Sequence, residues 1–192
     1  MNYGMHPGWI EVISGVMFSG KSEELIRRVR RATIARRKVQ VFKSHLDSRY
    51  TGLYSVSSHD GTELEASPVD SAGEIFRLVR PDTEIVAIDE AQFFGAELVP
   101  VVSRLADRGL VVMVAGLDVT FDGQPFEPLP ALMALAERVD KLTAICAICG
   151  EDAVFHVRVD TPAAGSDELV ADHVGGTDKY QARCRRHVTR PE

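Results

Sequence analysis

Residues 15–22 of this 192-residue chain read GVMFSGKS and fit G-x-x-x-x-G-K-[ST] at every fixed position. These residue types can hold a polyphosphate. Glycines let the backbone wrap closely around phosphate oxygens. Successive N–H groups and a helix N-terminus add positive potential. In such a loop Gly15, Val16, Met17, Phe18, Ser19 and Gly20 form the cradle, Lys21 reaches the outer phosphates, and Ser22 holds Mg²⁺. The alternative is an incidental glycine turn. Against it, the motif follows a strand-like run and opens a helix-like one, the context that it needs.

A phosphate loop also needs an acid at the end of a neighbouring buried strand. The run EIVAIDEAQFF supplies two. Asp89 ends the apolar stretch and suits Mg²⁺ bound through water. Glu90 follows directly, so its side chain should point elsewhere, where it can accept a proton from a substrate hydroxyl or from water. Taken alone, Glu90 reads equally well as a solvated loop acid. These parts signify nucleoside-triphosphate chemistry, and an ATPase motor and a small-molecule kinase share them.

A second constellation lies downstream. Cys146-x-x-Cys149 and Cys184-x-x-His187 have the same internal spacing, with 34 residues between the pairs. Two such hooks are the usual way to assemble a tetrahedral zinc site. All three cysteines are used and a histidine completes four ligands, so the zinc should be structural. The alternative is three buried thiols and an unrelated histidine. His6, His45, His59, His156 and His173 have no comparable partner spacing.

These groups must be positioned by a framework. The spacing predicts strands over 10–14 and 39–43, and buried strands in the apolar runs 84–89 and 110–116. It predicts a helix over 22–37, with Glu23 and Glu24 in its first turn, and helices near 71–79, 97–108 and 131–139. Residues 142–146 read as a further strand. This alternation is that of an α/β fold with a largely parallel sheet. After Cys146 the apolar periodicity fades, and 161–176 read as a long loop. A zinc clip from Cys146 to Cys184 would close that segment and let it act as a lid. The division expected is 1–142 for the core and 143–192 for the smaller part.

Composition narrows the class. The net charge of −6 argues against a general nucleic-acid binder. No apolar run approaches the length of a membrane span. The opening MNYGMHPGWIEVISG lacks a basic segment followed by an apolar one, so no signal peptide is expected. Unexported thiols point to the cytoplasm. The stretch RRVRRATIARRK carries seven cations. At helical spacing Leu25, Ile26, Val29 and Ile34 can face inward while the arginines point out as a solvated or ion-paired face.

Together these residues resemble the type II thymidine kinase family, that of bacteria and animal cytosol. The resemblance runs through GVMFSGKSEELIRRVRRA, DSRY, IDEAQFF, GLDVTFDGQPF and CAICG to GGTDKYQARCRRH. It implies a RecA-like P-loop core with a small zinc-bearing lasso domain that closes over a nucleoside. It also implies transfer of the ATP γ-phosphate, with Mg²⁺, to the 5′-hydroxyl of thymidine. A homotetramer, feedback inhibition by dTTP, and no nucleic-acid or membrane partner go with it. By position, Asp89 would support Mg²⁺ and Glu90 would be the base. Asp47 and Arg49 would lie near the transferred phosphate, with Arg49 as a charge clamp. Met17, Phe93, Leu117, Phe121 and Tyr180 match the positions that line the thymine and sugar pocket. By default most of those five would be core residues. Val16 stands where a proline is common, His156 where threonine or serine is frequent, and His173 where an apolar residue is frequent. Two other classes fit parts of the pattern: a zinc-containing P-loop ATPase acting on nucleic acid, and a non-catalytic nucleotide-binding regulator. The acidic charge speaks against the first, and the intact Lys21, Ser22, Asp89 and Glu90 against the second.

Overall fold

The computed structural model describes residues 8–44, 55–57, 63–159 and 179–188. In chain order the strands are β1 (Trp9–Gly15), β2 (Val39–Ser44), β3 (Ser55–Ser57), β4 (Glu63–Glu65), β5 (Ser67–Val69), β6 (Ile85–Asp89), β7 (Val111–Leu117), β8 (Arg138–Leu142), β9 (Ala144–Ile145), β10 (Asp152–Ala153), β11 (Phe155–Arg158) and β12 (Tyr180–Arg183). The helices are α1 (Lys21–Ile34), α2 (Ala72–Leu78), α3 (Leu98–Asp107) and α4 (Leu129–Leu135), and a 3₁₀ segment spans Ala91–Glu97.

Six strands form one parallel sheet in the order β5-β2-β6-β7-β1-β8. Its central strands β6 and β7 are buried along their whole length, as expected where helices cover both faces. Alternate residues divide the core. Val12, Phe42, Val86, Ile88, Val112 and Val114 pack with Leu98, Val102, Leu105, Leu129 and Leu132 of α3 and α4. Ile13, Val41, Ala87, Met113 and Ala115 pack with Leu25, Ile26 and Val29 of α1. The period of two in the strands meets the 3.6-residue period of the helices across both faces.

Three expectations about the elements are corrected here. Helix α1 stops at Ile34, short of 37: Arg36 takes a left-handed φ of 61° and Arg37 N–H bonds back to Ala32 O, a helix-closing turn. Helix α4 ends at Leu135, and Arg138–Leu142 becomes the sheet-edge strand β8 paired with β1, where a helix over 131–139 was expected. Arg138, Lys141 and Leu142 favour helix, but the ladder hydrogen bonds to β1 outweigh that preference. The single strand expected over 142–146 is interrupted, with β8 ending at Leu142 and β9 covering Ala144–Ile145.

The arginines of α1 also do not all point out. Arg28 is buried and forms ion pairs with Glu11 and Asp140, each at 2.6 Å, and Glu24 at 2.8 Å. Ile34, expected inward, is 82% exposed. A buried guanidinium needs its fork filled, and α1, β1 and β8 each supply a carboxylate.

β9 pairs with β10 and β11 with β12, both antiparallel. These short ladders follow the large sheet and carry the cysteines between and beyond them. The loop expected over 161–176 lies outside the described residues, as do His6, His45, Asp47, Arg49, His59 and His173.

Candidate active site and metal centre

The segment after β1 is a tight turn. Gly20 adopts φ 82°, a conformation that suits glycine, and α1 begins at the next residue. Val16 O accepts from Ser19 Oγ at 2.8 Å and from Lys21 Nζ at 2.7 Å, so one carbonyl organises the loop. Ser22 Oγ lies 3.2 and 3.4 Å from the two carboxylate oxygens of Asp89 and donates to them. A hydroxyl facing a buried carboxylate is an oxygen-rich pair of the kind that Mg²⁺ takes beside phosphate.

The sheet order changes one expectation. Asp89 ends β6, which is not adjacent to β1; β7 lies between them. Ser22 closes the gap from the first turn of α1.

Asp89 is buried, and this pushes its carboxyl from 3.8 up to about 7, with the Glu90 charge adding to the rise. Lys43 and hydrogen bonds from Glu90 N–H and Ser22 oppose it. Lys43 is itself buried and faces Asp89 in the β2–β6 register. A consequence for stability follows. Between about pH 4 and 7 the folded chain holds a proton on Asp89 that the unfolded chain has lost, so stability falls as pH rises through that window. Asp89→Asn in protein kept free of Mg²⁺ should therefore flatten the decline in Tm from pH 5 to 8. A gain of about 2 kcal/mol at pH 8 would raise Tm by roughly 4–8 °C. Thermal melts across that range check it; a decline as steep as the wild type's would remove Asp89 as its cause.

Glu90 sits at φ 52° and ψ 44°, left-handed backbone that a residue with a side chain rarely adopts. Gln92 Nε2 donates to Glu90 Oε2 at 2.5 Å. Beyond lies an apolar cluster: Met17 of the loop, Leu117 at the end of β7 and Tyr180 of β12 are buried together, with Phe18, Phe121 and Phe126 packed against them. Phe121 and Tyr180 rings are 6.5 Å apart. His156, 1% exposed, meets the Tyr180 ring edge-on at 5.8 Å. Phe93 stands half-buried on the 3₁₀ segment, outside that cluster.

The four downstream residues converge. Ligand atoms of Cys146, Cys149, Cys184 and His187 all lie within 4.8 Å of one another. Cys149 Sγ and Cys184 Sγ are 3.7 Å apart, and His187 Nδ1 is 3.7 Å from Cys146 Sγ and 3.3 Å from Cys184 Sγ. A tetrahedral zinc with Zn–S near 2.3 Å requires S···S edges of about 3.8 Å, so these residues fit one. Burial would raise the Cys146 thiol, yet N–H groups of Cys184, Ile148 and Cys149 and the His187 ring bring it down to about 5. The Cys149 thiol is raised: a hydrogen bond from Glu151 N–H lowers it, but burial and the Cys146 and Cys184 sulfurs prevail. Such sulfur crowding is what a dication relieves.

Sequence reasoning passed over Lys43, Gln92 and Asp118. Lys43 was legible as a cation at the end of a strand, but its facing partner was not. Asp118, buried beside Leu117, pairs with Lys141 at 2.8 Å and ties the 118–126 loop to β8.

A phosphate loop after β1 and an acid two strands away, on a parallel sheet covered on both faces, define an α/β protein of P-loop type. The Cys₃His cluster sets it apart within that class. A family model described as thymidine kinase matches residues 8–188. A thymidine kinase of Bdellovibrio bacteriovorus is 50% identical over 185 residues, covering 96% of this chain and 87% of that protein. The chain belongs to the thymidine kinase family. No helix among the described residues is long and apolar enough to cross a membrane.

Proposed function

We propose that this protein phosphorylates thymidine, using ATP and Mg²⁺ to give dTMP and ADP. The 5′-oxygen forms the new bond to the γ-phosphorus, the bond from that phosphorus to the β–γ bridging oxygen breaks, and ADP leaves. Glu90 takes the hydroxyl proton. Residues 15–22 hold the triphosphate, with Lys21 on the outer phosphates. Ser22 and Asp89 are the groups that would hold Mg²⁺, which when bound neutralises charge developing on the phosphate oxygens. Met17, Leu117, Phe121 and Tyr180 offer apolar and aromatic walls to a flat base, and Phe93 is assigned to the same pocket from the sequence alone. Asp47 and Arg49 are assigned near the transferred phosphate from the sequence alone.

The observation that carries this reading is membership of one kinase family along residues 8–188, and it is supported by Glu90 being tied through Gln92 to Leu117 of the apolar cluster. Cys146, Cys149, Cys184 and His187 are a structural zinc site in the same reading. A cytoplasmic homotetramer inhibited by dTTP completes it. ADP formation from ATP and Mg²⁺, with and without thymidine and then across the other nucleosides, tests the function. Strong thymidine-dependent ADP release is expected. ADP formation indifferent to thymidine would overturn it.

A further inference from the structure

Gln92 is 4% exposed, and both ends of its amide are engaged. Its Oε1 accepts from Leu117 N–H at 3.1 Å and its Nε2 donates to Glu90 Oε2 at 2.5 Å. The orientation follows from chemistry. A backbone N–H can only donate, so the amide oxygen must face Leu117 and the amide nitrogen must face Glu90. Space for this bridge is reserved at Gly116. A Cβ there would lie 2.8 Å from Gln92 Oε1, 2.8 Å from Leu129 Cδ2 and 3.2 Å from Ala91 N.

The two groups joined are unlike. Glu90 is a carboxylate on a left-handed residue, a backbone state that costs energy unless its surroundings hold it. Leu117 ends β7 and is part of the apolar cluster with Met17 and Tyr180. We propose that Gln92 is a positioning residue: its amide locks the Glu90 carboxylate to the Leu117 backbone and so fixes the proton acceptor relative to the pocket wall. This rests on Glu90 being the base. Misplacing a base by even 1 Å is enough to slow a step that depends on near-attack geometry.

Two variants separate the halves of the bridge. Gln92→Glu keeps an acceptor for Leu117 N–H but cannot donate to Glu90 while ionised. Gln92→Met keeps the volume and removes both. Single-turnover phosphoryl transfer to thymidine should fall about tenfold or more in each, the worth of a hydrogen bond to a charged group. ATP affinity should stay within about twofold. The thymidine KM should rise further in Gln92→Met, where Leu117 is also released. Transfer rates within about twofold of wild type in Gln92→Glu would overturn the proposal. So would equal loss of rate, ATP affinity and Tm in both variants, which marks plain structural damage. Glu90→Gln run alongside keeps the readings apart. If it is active, the base assignment itself fails; if it is inactive and Gln92→Glu is not impaired, only the role of Gln92 fails.

Discussion

Glu90→Gln should slow phosphoryl transfer to thymidine by about 10²- to 10⁴-fold while leaving ATP binding within about twofold. The size of the loss follows from what glutamine can and cannot do. Its side-chain oxygen still accepts from Gln92 Nε2, so the bridge to Leu117 survives. The left-handed turn at residue 90 accommodates either side chain with equal strain. What is lost is proton acceptance. Titration with a fluorescent ATP analogue and a quenched-flow rate on the same preparations check both halves. A variant retaining full transfer would show that the hydroxyl proton leaves by another route. Weakened ATP binding would mean instead that Glu90 acts on the nucleotide.

Cys184→Ala should bring metal content from about one zinc per chain to near zero and unfold the β9–β12 region, leaving the parallel sheet folded. The core beneath that region is thin. Its buried side chains are Val16, Val119, Ala144, Cys146, Ala153, Phe155, Ala182 and Cys184, mostly small. So few methylene groups cannot order several short ladders alone. The backbone bonds that centre on the cluster, from His187 and Val188 N–H to Cys184 O and from Cys146 N–H to Glu151 O, need the ligands in place. Elemental analysis gives the metal, and hydrogen exchange resolved by segment gives the unfolding. Exchange in β11 and β12 as slow as in the wild type would show that the ladders stand without the fourth ligand.

Where one residue's neighbours settled its state, the sequence was readable. β6 and β7 are apolar at nearly every position, and a strand buried on both faces has little other choice. The loop at 15–22 and the paired hooks of cysteine and histidine were legible because their chemistry requires fixed spacing. What could not be read depends on partners distant in the chain. β8 mixes helix formers with Val139 and Asp140 and becomes a strand through its ladder with β1. Arg28 belonged to a basic stretch, and only Glu11 and Asp140, the latter 112 residues away, show that it is buried. That β7 separates β1 from β6 is a matter of strand order, which no local pattern encodes. Gln92 looked like part of a run ending in two phenylalanines; its role needs the N–H of Leu117, on another strand.

Val16 has a consequence beyond its own fit. It belongs to the phosphate loop, yet it is fully buried in the same apolar cluster as Cys146 and Cys184. Gly15 beside it approaches the end of β8, where a Cβ would lie 2.7 Å from Leu142 O. The loop for phosphate and the hooks for metal are therefore two sides of one small core. Any free energy by which metal steadies that core is returned in kind: a nucleotide that rigidifies the loop must tighten the hold on the metal by the same factor. Were zinc to fill the hooks, its affinity and that of the nucleotide would be two readings of one coupling, each measurable from the other's equilibrium.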